Sequence, residues 1–125
     1  MEKEINLTDL SKRIHKDNVD KGFYEEKKEF GTCIALIHSE LSEALEADRH
    51  KIKADLYQFE SLIDDGSEFV TTFKETIKDS VEDELADAMI RIMDTCGNLG
   101  IDIHKHIELK LRYNKTRARK HGKSY

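Results

Sequence analysis

The amino-acid sequence predicts an all-α fold: an antiparallel bundle of four main helices plus an inserted helical segment, in a single domain over residues 1–125. Three observations carry this reading. The chain has no proline and only six glycines, so the main helix breakers are missing and signals for tight hairpins are few. Apolar residues recur at steps of three and four over long stretches, the period of a helix with one buried face. Those stretches are bounded by residues that cap helices.

The first helix follows from Leu7, Leu10, Ile14 and Val19, with Asn6 or Thr8 as N-cap and an end near Lys21-Gly22. The second, from about Glu25 to Arg49, follows from Phe30, Cys33, Ile34, Ile37, Leu41, Ala44 and Leu45. Between about 49 and 80, Leu56, Phe59, Leu62 and Ile63 predict a short helix and Phe69, Val70, Phe73 and Ile77 another. Asp64-Asp65-Gly66-Ser67 breaks the two apart. Ser80-Val81-Glu82-Asp83 reads as a capping-box variant opening a helix through Leu85, Met89, Ile92, Met93 and Cys96, which Gly97-Asn98-Leu99-Gly100 stops. Asp102 is placed to cap a last helix through Ile103, Ile107 and Leu111 to about Asn114.

Charged and apolar residues each make up 38% of the chain, which excludes a membrane protein and, with such regular apolar spacing, a disordered one. No apolar stretch follows the charged segment Met1 to Leu7, so the cytoplasm is the expected location. Cys33 and Cys96 form no CxxC pair and fall on apolar helix faces, where reduced buried thiols are expected. The net charge of −5 conceals an asymmetry, since His104 to Tyr125 holds eight Lys or Arg against the one acid Glu108. A nucleic-acid-binding module using this basic tail is therefore one alternative reading. The acidic body and the scarcity of aromatics in the tail, Tyr113 and Tyr125 alone, rank nucleic acid low as a partner. A non-catalytic interaction protein, its acidic face meeting a neighbour's basic tail, is another.

The chemistry lies in two acidic pairs. Glu40 and Glu43 stand three residues apart on one helix, and Glu84 and Asp87 repeat the spacing on another. At about 100° per residue Glu40 falls inside the apolar arc, between Cys33 and Leu36, while Glu43 lies at its edge. Glu84 and Asp87 border the Val81, Leu85, Ala88 and Ile92 stripe. Four acids converging on a helix seam would repel and raise one another's pKa unless a cation compensates them. All-oxygen ligands suit Mg2+, with Mn2+ as a substitute, and Mg2+ also engages substrate phosphates. A di-iron centre would use Glu-x-x-His, and no Glu here has His three residues later. His104 and His106 read as polar residues at a helix start, outside the site.

The run Ile34 to Ala47, with Glu40 and Glu43, resembles the first metal motif of the MazG-like nucleotide pyrophosphohydrolases. Glu84-Leu85-Ala86-Asp87 through Asp94 and on to Leu99-Gly100-Ile101-Asp102 resembles the second half of that motif. The ending Lys110 to Arg117 with His121-Gly122-Lys123 resembles the same group, as does Asn18 with Lys21-Gly22-Phe23. The likeness covers about 14–48 and 81–125, leaving the insertion at about 49–80 as a departure. It implies Mg2+-dependent hydrolysis of a nucleoside or deoxynucleoside triphosphate to the monophosphate and pyrophosphate, by an all-helical homodimer or homotetramer. Carried over by motif, Glu40, Glu43, Glu84 and Asp87 ligate Mg2+, and Glu43, nearest the open edge, is the candidate general base. Lys110, Asn114, Arg117 and Lys123 are candidates for phosphate contacts, Asn18 and Lys21 for sugar or base. Arg91, one turn after Asp87, is placed either to contact phosphate or to pair with that aspartate.

Overall fold

The computed structural model describes residues 4–117, and every regular element among them is a helix: α1 (Leu7–Asp20), α2 (Phe30–Arg49), α3 (Leu56–Asp64), α4 (Phe69–Thr76), α5 (Val81–Leu99) and α6 (Ile103–Thr116). Among the described residues no helix is long and apolar enough to cross a membrane. The chain forms two compact units. One runs up to Glu25 and resumes at Met93; the other comprises Glu26–Ile92, so α5 contributes to both.

In the first unit, helix starts are fixed by side chains. Asn6 is the N-cap of α1, its carboxamide accepting from the Asp9 N–H, and Asp102 caps α6 by accepting from the Lys105 N–H. Such caps contribute about 1 kcal/mol each. Thr8, the other cap candidate, instead donates to Asp102 Oδ1 at 2.6 Å and accepts from the His104 N–H. The Leu7 N–H donates to His104 Nδ1, so His104 is a structural clasp between the first turns of α1 and α6. These two helices set off from a common point and pack on each other. The helix α5 ends within the run Gly97–Gly100, as expected, but Gly97 itself still lies in the helix, and a Cβ there would meet His15 Cβ and the Ser11 carbonyl oxygen at 2.7 Å each. Its missing side chain admits α1. The stop comes at Gly100, whose φ of +68° suits glycine.

In the second unit, α2 begins five residues later than periodicity suggests. Residues 25–29 are all Glu or Lys, good helix formers, but they follow a turn at Gly22 (φ +87°), and Glu29 is extended and makes no side-chain cap. The insertion is a hairpin of two short helices, α3 packed on α4, joined by a partly exposed aromatic cluster. Phe59 meets Phe69 edge-on at 5.9 Å and Phe73 stacks on Phe69 at 6.0 Å, contacts worth about 0.5–1.5 kcal/mol per pair beyond area burial. The hairpin closes on itself at its base, where the Asp55 N–H donates to the Thr76 carbonyl and the Val81 N–H to the Ile52 carbonyl, both at 2.9 Å. The Ala54 N–H donates to Glu82 Oε1 beside them. At the start of α5, Ser80 Oγ accepts from the Asp83 N–H, and Asp83 reaches back to the Asp79 N–H in place of Ser80's own. The capping box is thus widened by one residue.

The buried apolar side chains of this unit are small: Cys33, Ala44, Ala47 and Ala88. The inner face of α5 is more polar than expected. Leu85 and Ile92, read as the inner stripe, are 46% and 40% exposed, whereas Glu84 is 6% exposed. Glu84 does not border the buried face but lies in it, while Asp87 is half-buried at its edge.

Candidate metal centre

Three carboxylates converge in the second unit. Glu40 on α2 and Glu84 and Asp87 on α5 each bring a ligand-capable oxygen within 4.8 Å of the others. Glu40 is buried, as its place inside the apolar arc of α2 requires. Its charge is answered by Arg91, whose Nε donates to Glu40 Oε1 at 2.8 Å. Arg91 therefore pairs across to α2, and its charge also reaches Asp87 one turn back. Glu40 is buried, and the guanidinium offsets the cost of desolvating its charge.

Protonation follows from these surroundings. Burial pushes the Glu40 carboxyl up, but the Arg91 guanidinium and hydrogen bonding with Glu43 and Glu84 outweigh it and hold Glu40 below the ordinary carboxylate range. Glu84 has no such partner. Burial first, and then the neighbouring Glu43, Asp87 and Glu40, push its carboxyl up to about 7. Asp87 is raised by burial and by the charges of Asp83 and Glu40, with Arg91 opposing. The buried Oε2 of Glu84 receives no hydrogen bond among the described residues. Leaving a buried carboxylate oxygen without a donor costs several kcal/mol, so the group must take up a proton or meet a cation.

Glu43 is exposed and lies outside the tight triplet, within hydrogen-bonding range of Glu40 and Glu84. Three acids are thus brought together and the fourth flanks them. The fit to a hard divalent cation rests on the donor set, all carboxylate, and on the unanswered oxygen of Glu84.

The other candidates lie in the first unit. Asn18 is half-buried near the end of α1, its carbonyl accepting from the Phe23 N–H, and Lys21 is the exposed C-cap. Lys110, Asn114 and Arg117 are exposed on or just after α6. Lys110 Nζ and the Arg117 guanidinium lie 5.1 Å and 5.6 Å from the Tyr113 ring centroid, so both cations gather on one ring. Lys123 lies outside the described residues.

Sequence reasoning missed a network in this unit. Asp94 on α5 accepts from Tyr24 Oη at 2.8 Å through Oδ2 and bonds His15 Nδ1 at 2.9 Å through Oδ1. The His15 and Tyr24 rings meet edge-on at 4.6 Å. Partners 70 and 79 residues apart leave no spacing motif. A signal did exist: Asp94 follows Asp87 by two helical turns and so shares its face.

The chain matches no family model, no curated protein and no solved structure.

Proposed function

We propose that this chain belongs, by class, to the divalent-metal-dependent hydrolases of phosphoanhydrides. Within that class the reading is of an enzyme that cuts a nucleoside or deoxynucleoside triphosphate to the monophosphate and pyrophosphate. The observation that carries the class is the buried Glu84 oxygen without a donor, set among the carboxylates of Glu40 and Asp87. The substrate and the bond cut rest on the motif resemblance.

Glu40, Glu84 and Asp87 are the residues that would hold Mg2+, with Glu43 completing the set from the exposed side. Bound there, the cation supplies positive charge for phosphate oxygens and a Lewis acid for water. The protein's own part is positioning. Arg91 locks Glu40 in place, and the rigid spacing of α5 fixes Glu84 and Asp87 one turn apart. Glu43, beside the triplet yet open to solvent, is the group placed to accept a proton from an attacking water. Large apolar side chains left exposed on α2 and α5 of this unit, Leu41, Leu45, Leu85, Met89 and Ile92, support the expected self-association as a homodimer or homotetramer.

The test is chromatography of product mixtures from a panel of ordinary and modified triphosphates incubated with Mg2+. Monophosphate plus pyrophosphate is expected from at least one of them, and Glu40→Gln or Asp87→Asn should abolish it. Release of diphosphate plus orthophosphate overturns the reading. So does an intact panel accompanied by DNA binding with a steep salt dependence, which would favour the basic-tail reading.

A further inference from the structure

Glu84 belongs to two acidic triplets. Besides Glu40 and Asp87, it groups with Asp79 and Asp83, again with one ligand-capable oxygen from each residue within 4.8 Å of the others. All of these residues lie in the second unit. An acidic cluster at a helix start needs no cation to explain it, because acids in the first turn complement the helix dipole. Glu84 points further. It is 6% exposed and its Oε2 has no donor among the described residues, so a buried, unanswered carboxylate group stands where the two triplets meet.

The remaining contacts leave ligand capacity free. Asp83 uses Oδ2 on the Asp79 N–H, and Asp79 uses Oδ2 on Lys78 Nζ at 3.1 Å in an exposed ion pair. The other oxygen of each aspartate makes no hydrogen bond among the described residues. Asp79 is exposed and Asp83 half-buried, so a cation between them would keep several waters, which suits Mg2+ or Mn2+ better than an ion that demands a full protein cage.

We propose that the centre takes two hard divalent cations, with the Glu84 carboxylate bridging a first held by Glu40 and Asp87 and a second, weaker one held by Asp79 and Asp83. The second site is weaker because it is wetter, opposes the α5 dipole and competes with Lys78. The proposal rests on the hydrolase reading only for the identity of the first site, and cation counting tests the two separately.

Metal-free protein titrated with Mn2+, with free ion followed by its electron paramagnetic resonance signal, should bind two ions per chain in two resolved steps. Asp79→Asn keeps a residue tolerant of the positive φ at this position (+65°). It should remove the weaker step or loosen it at least tenfold and leave the tighter one in place. Lys78→Gln should tighten the weaker step severalfold, an effect that a purely structural Asp79 would not produce. Glu84→Gln should weaken both steps. One ion per chain in the wild type, unchanged by Asp79→Asn, overturns the second site and leaves the hydrolase reading standing. No ion bound at all overturns both.

Discussion

Two acids on the same helix meet opposite fates. Asp94, in the first unit, is buried, and each of its oxygens has a partner, Tyr24 for one and His15 for the other. Glu84, ten residues earlier and in the second unit, is buried with an oxygen that no donor among the described residues reaches. Burial alone does not distinguish a structural acid from a functional one. The difference is satisfaction: a completed hydrogen-bond network holds structure together, whereas an incomplete one leaves a demand that a ligand can meet.

Breaking that contrast gives the largest expected effect. Glu84→Gln should lower Mg2+-dependent triphosphate hydrolysis by at least about a hundredfold. The same substitution should raise the melting temperature of the metal-free protein above pH 7, because a neutral amide avoids a buried negative charge. Asp94→Asn should do the reverse, leaving cation stoichiometry unchanged while lowering stability by about 1–3 kcal/mol. Calorimetry beside Mn2+ titration separates the two outcomes, and lost cation binding in Asp94→Asn would erase the distinction.

Gly97→Ala attacks the satisfied side through packing. The new methyl would sit 2.7 Å from both His15 Cβ and the Ser11 carbonyl oxygen, which should cost about 2–3 kcal/mol, or roughly 10 °C or more in Tm. Denaturant melts check this; a neutral result would mean that α1 is free to move away.

The pH dependence sharpens the unsatisfied side. Glu84 binds its proton more tightly in the folded protein, near pH 7, than at its ordinary 4.5. Its stabilising contribution is therefore complete below about pH 4.5 and is lost as pH rises through 7, a fall on the order of 3 kcal/mol. Metal-free protein should show this decline in thermal melts between pH 5 and 8. Saturating Mg2+ should reverse it and Glu84→Gln should remove it. Smallest of all, Tyr24→Phe deletes one hydrogen bond to Asp94 and should cost about 1 kcal/mol.

How much of this was legible depends on the range of the interaction. Helices with a cap at one end and apolar steps of three and four were readable because both signals are local. Asn6, Ser80 and Asp102 each bind a backbone N–H three residues on. Glu40 was readable as buried because its angle around α2 is fixed by the helical repeat. The Arg91–Glu40 pair, the Asp94 network and the tolerance for Gly97 within α5 were not, since each depends on which helix lies opposite. The exposure of Leu85, Met89 and Ile92 escaped for the same reason: periodicity finds an apolar stripe but does not say whether this chain covers it.

The base of the α3–α4 hairpin bears on how such a chain can change over time. Since Val81 already touches Ile52 through a backbone hydrogen bond, the whole excursion begins and ends at one doorway. Material can be spliced in or cut out at that threshold while the two acid-bearing rods on either side keep their threading. A short turn joining the residues at this doorway would give a trimmed version that keeps Glu40, Glu84 and Asp87 but loses Asp79 and the Ser80 cap.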